Sequence, residues 1–247
     1  DKHIAINLPD QKERLQILKV HAKNKPLAPD VDLESLSKLT IGLSGASLEA
    51  ILNEAAILAT VRKHELITKE DIDDAYFKMV MKGHKKKSGE KRDEEELKLV
   101  AWHEAGHALA AKLLTNNEVP KVTIIPSTSG VGGVTFFIPK KMGLYSKEEI
   151  LNEIKVLYAG RIAEYLLHGD ENKITTGASQ DIRIATNKIK EMINEYGMNE
   201  HFGMLNIEIL CNSLRFPLNN NEAFVREAIS LSKKLYNETY LLLKQHQ

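Results

Sequence analysis

The sequence predicts a mainly α chain: a unit of four short helices, then a linker, then a larger and mostly helical domain carrying a small β-hairpin. Three observations predict it. Apolar residues recur at helical spacing in several separate stretches, each opened by a capping residue. Two short β-branched runs, Lys121–Ile125 and Val134–Ile138, read as strands. Between the helical groups, Gly83–Arg92 is polar, basic and bounded by glycine, which marks a linker. The expected boundaries are 1–82 for the first unit, 83–92 for the linker and 93–247 for the second domain.

The elements follow in order. Ile4–Ile6 reads as the end of a buried strand. Asp10 caps a helix from Gln11 to about Lys23, with Leu15, Ile17, Leu18 and His21 on its apolar side, and Pro26 and Pro29 end it. A short helix covers Leu33–Leu39. Ser44, in the turn Gly42-Leu43-Ser44-Gly45, caps a helix to about Lys63, with a stripe of Leu48, Ile51, Leu52, Ala55, Ala56, Leu58 and Ala59. Thr68 caps a fourth helix to about Met81, with Glu70 and Asp71 in its first turn.

Beyond the linker, acidic residues Asp93–Glu96 open a helix that ends near Leu114 and contains His103-Glu104-Ala105-Gly106-His107. Residues four apart on a helix share one face, so His103 and His107 can bind one metal ion. Zinc accepts two imidazoles and a carboxylate and acidifies a bound water. Glu104, beside the first histidine, is placed to take that water's proton. The motif lies in a long apolar helix rather than on a charged face. Gly106 costs helix stability, so its presence mid-helix points to close packing.

Pro126 stops the first strand. Ser127–Gly133 is a loop with backbone freedom at Gly132-Gly133, and Val134–Ile138 is the second strand. Such a pair is either a plain hairpin or an edge onto which an extended peptide adds. Ser146 and Glu149 form a capping box for a helix to about His168, closed by Gly169. Gly160 within it allows close packing. After Thr175–Ser179 a further helix runs to about Tyr196. Two carboxylates are candidates for the third metal donor: Asp181 in the first turns of this helix and Glu164 on the preceding one. The small residues Gly177-Ala178-Ser179 favour Asp181. Residues 206–220 read as irregular, with a loop at Pro217 and Asn219–Asn221, and a last helix runs from Glu222 to the end.

Composition narrows the function classes. With 43% apolar and 28% charged residues the chain can build a sizeable core, and its 34 basic and 34 acidic residues cancel. No global field attracts nucleic acid, and the basic linker lacks aromatic partners for one. A single cysteine, Cys211, excludes an internal disulfide and a cysteine-based zinc finger. No apolar run is long enough to span a bilayer, no signal peptide opens the chain, and a start at Asp1 reads as a cut inside a longer protein.

The runs Ile4–Asp10, Ile17–His21, Gly42–Leu48 and Asn53–Ala56 resemble the C-terminal helical lid of an AAA+ ATPase. That resemblance implies that His21, Gly45 and Ala46 line the adenine and ribose of a nucleotide. No phosphate-cradling Gly-x-x-x-x-Gly-Lys-Ser/Thr is present, so the chain by itself is not expected to hydrolyse ATP. The lid is followed by His103–His107, then Gly160–Glu164, Thr175–Asp181 and Tyr196–Met198. This order resembles the FtsH family of membrane-anchored, ATP-dependent zinc metalloproteases over nearly the whole chain.

The family resemblance implies Asp181 as third zinc ligand, a mostly helical peptidase over 93–247, and binding of unfolded substrate along the strand at Gly133, Val134 and Thr135. For the parent protein it implies a homo-hexamer using ATP and Mg²⁺. It would be held in a membrane by an N-terminal segment, the bacterial inner membrane ahead of an organelle membrane, with this part in the cytoplasm. Its substrates would be unfolded, misfolded or membrane proteins. Gln180, Tyr165 and Ala159 depart from the family's usual Asn, Glu and Gly, but none is a zinc ligand or the base. The alternative reading is a nucleotide-sensing ring-assembly module with a structural or silent metal site.

Overall fold

The structure is a computed structural model that describes residues 7–81, 93–126, 132–139, 143–213 and 222–247, the side chains of 211–213 excepted. The strand expected at Ile4–Ile6, the linker 83–92, most of the loop Ser127–Gly133 and the loop at Pro217 and Asn219–Asn221 lie outside the described residues. Two compact units make up the chain, Asp1–Lys91 and, apart from Ile125–Gly132, Arg92–Gln247.

In the first unit, helices α1 (Gln11–Ala22), α2 (Leu33–Leu39), α3 (Gly45–Arg62) and α4 (Lys69–Val80) begin where capping chemistry places them. Asp10, Asp32, Ser44 and Thr68 each accept a backbone N–H of the first turn, and Glu13 and Asp71 bond back to their caps. Leu18, Leu36, Leu48, Ile51, Leu52, Ala55, Ile67 and Ala75 form the core. Two features escape sequence periodicity. Leu27 and Ile67 form an isolated parallel bridge, in which the Ile67 N–H bonds the Pro26 carbonyl at 2.7 Å. Arg14 is 1% exposed. Its guanidinium is satisfied by the carbonyls of Ser37 and Pro9, both at 2.9 Å, which makes its burial tolerable.

The fully buried Asp71 carboxylate receives bonds from Arg62, His64 and both the N–H and hydroxyl of Thr68, at 2.8–3.0 Å. Burial alone would raise its pKa, but the bonds from His64, Thr68 and Arg62 outweigh it and hold the group down to about 2, against an ordinary 3.8. A depressed native pKa stabilises the fold above the unfolded pKa, and that contribution, about 2 kcal/mol, is lost as pH falls from about 4 toward 2. In denaturant titrations between about pH 5 and 3, the wild-type chain is expected to lose stability more steeply than Asp71→Asn. Equal slopes would contradict this account.

In the second unit, α5 (Glu94–Leu114) and α6 (Lys147–His168) are the central pair, joined by α7 (Ser179–Asn194), α8 (Ile207–Ser213) and α9 (Glu222–Gln245). Ile154, Ala159, Ile162, Ala185, Met192, Ile193 and Leu235 lie at the heart of their core. The expected close approach at Gly106 is present: a Cβ there would stand 2.5 Å from the Ala159 carbonyl oxygen and 2.7 Å from the Ala163 Cβ. Helix α9 is tied to α6 by a Tyr158–Ser232 hydroxyl bond of 2.8 Å, and α7 by Lys188–Glu153 at 2.6 Å.

Strands β1 (Glu118–Thr123) and β2 (Val134–Ile138) pair antiparallel. β2 matches its expected bounds, whereas β1 starts three residues before the expected Lys121 and ends two before Ile125. The early start needs a register irregularity between Glu118 and Lys121. Pro120 lies in that interval and has no N–H for the ladder, so the pairing skips it. Helix α8 corrects the irregular reading of 206–220. Asn206 bonds the Ile209 N–H at 3.0 Å as a cap, and buried Asn194 of α7 grips Glu208 through both its backbone N–H and its carboxylate. Seven residues are too few for a periodic signal; the tertiary anchor forms the helix. Among the described residues no helix is long and apolar enough to cross a membrane.

Candidate metal centre

The i, i+4 spacing on α5 brings the Nε2 atoms of His103 and His107 to 3.0 Å. The opposite ring edges decide what those atoms can do. His107 Nδ1 lies 2.8 Å from the Val156 carbonyl, and His103 Nδ1 lies 2.7 Å from a Glu164 carboxylate oxygen. Both partners only accept, so both Nδ1 atoms carry the proton, and in the neutral rings both Nε2 atoms present lone pairs. Asp181, third residue of α7, adds a carboxylate oxygen 3.5 Å from each Nε2. Three electron-pair donors therefore converge on one point, which is the arrangement a cation satisfies. A tetrahedral zinc with bonds of about 2.0–2.1 Å spaces its donors about 3.4 Å apart, close to the spacing found here. The residues fit the ion, and three protein donors leave a fourth position for water or substrate.

Each element contributes through a local cause. Gly160 of α6 lies directly against the two imidazoles: a Cβ there would stand 2.5 Å from His107 Nε2 and 2.6 Å from His103 Nε2. Glu164, one helical turn later and 1% exposed, accepts from His103 and from the Thr175 N–H at 2.8 Å. Arg161 donates to the Thr175 carbonyl. The segment leading into α7 is thus fastened to α6, and that fixes where Asp181 enters. Of the two carboxylates open from sequence, Asp181 faces the Nε2 atoms and Glu164 holds the far side of His103.

Glu104 is 7% exposed. Its Oε2 accepts from the Thr135 hydroxyl at 2.7 Å. A Cβ on Gly133 would stand 2.8 Å from its Oε1, so only glycine lets the strand approach this closely. Burial pushes the Glu104 carboxyl up, against the Thr135 bond and the charges of His107 and His103. Burial opposes the charge on His103 as well, but bonds to Asp181 and Glu164 prevail and raise it to about 9. Asp181 is held down to about 2: burial works against its charge, and the two histidines more than compensate. In the metal-free chain positive charge is therefore drawn onto His103, and a bound dication would take that role.

The other sequence-predicted residues fall as follows. Gly133 and Thr135 are buried beside Glu104 and Val134 is half-buried between them. In the first unit, Gly45 opens α3 beside α1, with Ile17 3.8 Å from where its Cβ would be. Ala46 is exposed, and His21 is half-buried with Nδ1 3.9 Å from a Glu49 carboxylate oxygen. Sequence reasoning missed the bond from Thr135 to Glu104, since a threonine in a β-branched run reads only as a strand former. It weighed Glu164 as a ligand rather than as the partner of one.

Residues 90–244 match Peptidase family M41, and residues 30–74 match the AAA+ lid domain. The chain is 41% identical over 99% of its length to ATP-dependent zinc metalloprotease FtsH 1 of Alkaliphilus metalliredigens, covering 41% of that protein. It is 47% identical over 82% of its length to FtsH 1 of Thermoanaerobacter sp., covering 33%. To ATP-dependent zinc metalloprotease FTSH 5, chloroplastic, of Arabidopsis thaliana it is 40% identical over 83% of its length, covering 29%. The chain thus spans at most about two fifths of these relatives, and the shared part is the one that holds the three converging donors. On the match from residue 90 to 244 and these identities, the chain belongs to Peptidase family M41.

Proposed function

We propose that the chain is the zinc endopeptidase part of an ATP-dependent protease that degrades unfolded, misfolded or membrane proteins. The observation that carries the reading is the convergence of His103, His107 and Asp181 beside a buried Glu104. His103 and His107 would hold Zn²⁺ through Nε2 and Asp181 through a carboxylate oxygen. Bound zinc supplies Lewis acidity to the peptide carbonyl and to the attacking water. Glu104 takes the proton from that water as it attacks the carbonyl, and delivers it to the departing amine nitrogen. Glu164 and the Val156 carbonyl keep the imidazoles oriented throughout.

Substrate enters as an extended strand along β2, by backbone bonding around Gly133, Val134 and Thr135. Among the described residues the sheet has two strands, and its second strand runs directly past Glu104, which supports that route. The domain division is 1–82, 83–92 and 93–247. The first part is the lid of an ATPase in the full-length protein, where His21, Gly45 and Ala46 contact the nucleotide of an ATP–Mg²⁺ complex. The adjacency of α1 and α3 at Ile17 and Gly45 supports it. The full-length protein works as a homo-hexamer anchored in a membrane, a bacterial inner membrane or an organelle membrane, with this part in the cytoplasm or its equivalent.

The zinc-loaded chain is expected to cleave an internally quenched, unstructured peptide, which needs no unfolding by an ATPase. Activity should vanish with a chelator and return with zinc. A zinc-loaded chain without cleavage would overturn the reading.

A further inference from the structure

Thr135 is more than a strand residue at this site. Its hydroxyl lies 2.7 Å from Glu104 Oε2 and 3.0 Å from the Glu104 backbone carbonyl. One hydroxyl proton cannot serve both well, and the shorter bond goes to the charged acceptor, where such bonds are about twice as strong. Thr135 is buried, so water does not compete for the bond. The other carboxylate oxygen, Oε1, lies against Gly133. The carboxylate is therefore held at one oxygen, and its plane is set by a strand rather than by its own helix.

We propose that Thr135 is a positioning residue for the general base: its hydroxyl anchors Oε2 so that Oε1 is the oxygen that takes and returns the proton. This rests on the peptidase reading above. It also makes β2 bifunctional. The strand's backbone receives substrate, and its Thr135 side chain aligns the base, so the base is set by the same element that positions the scissile bond. A purely structural role, tying β2 to α5 through the Glu104 carbonyl, would need the hydroxyl but not the carboxylate contact.

Thr135→Val keeps the shape and removes the hydroxyl; Thr135→Ser keeps the hydroxyl and removes the methyl. With zinc content and KM near wild type, the valine variant should lose about 10–100-fold in kcat, the range typical of supporting groups around a metal site. The serine variant, which keeps the bond, should stay close to wild type and well above the valine variant. An activity-independent readout runs beside it: in zinc-bound crystal structures, the Glu104 carboxylate should rotate in the valine variant and stay in place in the serine variant. A carboxylate that keeps its position in Thr135→Val, equal losses in both variants, or loss of zinc in Thr135→Val would each overturn the proposal. Absence of cleavage by the zinc-loaded wild type would instead sink the peptidase reading, while the crystal structures would still decide the role of Thr135.

Discussion

Glu104→Gln is expected to leave zinc bound and to lower peptide cleavage by about 10²–10⁴-fold, the span of a lost general base. The substitution changes little else. The side chain keeps its length, and the amide oxygen can still accept from the Thr135 hydroxyl that now bonds Oε2. The two imidazole donors keep their supports, because His103 and His107 are held through Nδ1 by Glu164 and Val156, and Glu104 touches neither bond. What goes is the basic oxygen. An amide does not accept the proton of the attacking water and has none to hand to the leaving amine. Metal content and kcat measured on the same preparation separate the two effects. Near-wild-type cleavage by a zinc-loaded Glu104→Gln chain would contradict the mechanism.

Gly160→Ala is expected to weaken zinc binding by at least about 100-fold, beyond the usual cost of disturbing a supporting residue, because it displaces the ligands themselves. The new Cβ would stand 2.5 Å from His107 Nε2, 2.6 Å from His103 Nε2 and 2.7 Å from His103 Cε1, inside any tolerable contact. Retreat of α6 would open its close approach to α5 at Gly106 and push it against α9 and α7, to which it is bonded through Tyr158–Ser232 and Glu153–Lys188. The imidazoles must therefore turn, which breaks their bonds to Glu164 and Val156. Alanine suits a helix better than glycine, so helix content should persist. Competition with a chelator of known affinity measures the loss, and circular dichroism checks the fold. Wild-type affinity in Gly160→Ala would contradict the geometry.

Much of the fold was legible because its signals are local. Asp10, Ser44, Thr68 and Ser146 each cap the helix the sequence assigns them, since a capping side chain acts on a backbone three residues away. The pair His103 and His107 was legible for the same reason: a helix fixes their relation. The features that were not legible depend on contacts distant in sequence. Arg14 can be buried because the Ser37 carbonyl, 23 residues on, receives its Nε beside the nearer Pro9 carbonyl. β1 begins early because β2 offers partners on both sides of Pro120. Helix α8 needs Asn194. At the site, spacing could not separate Asp181 from Glu164, because both lie within reach and only the orientation of His103 gives them different tasks. The link from Thr135 to Glu104 crosses 31 residues and leaves no periodic trace.

If His103, His107 and Asp181 together hold one metal ion, removing any one of them should cost the metal. Zinc content of the purified chain beside that of Asp181→Ala tests it most directly. About one zinc per wild-type chain is expected, with a sharp fall in the variant, since two imidazoles alone make a poor site. Zinc retained at the wild-type level in Asp181→Ala would contradict it and place the third donor elsewhere.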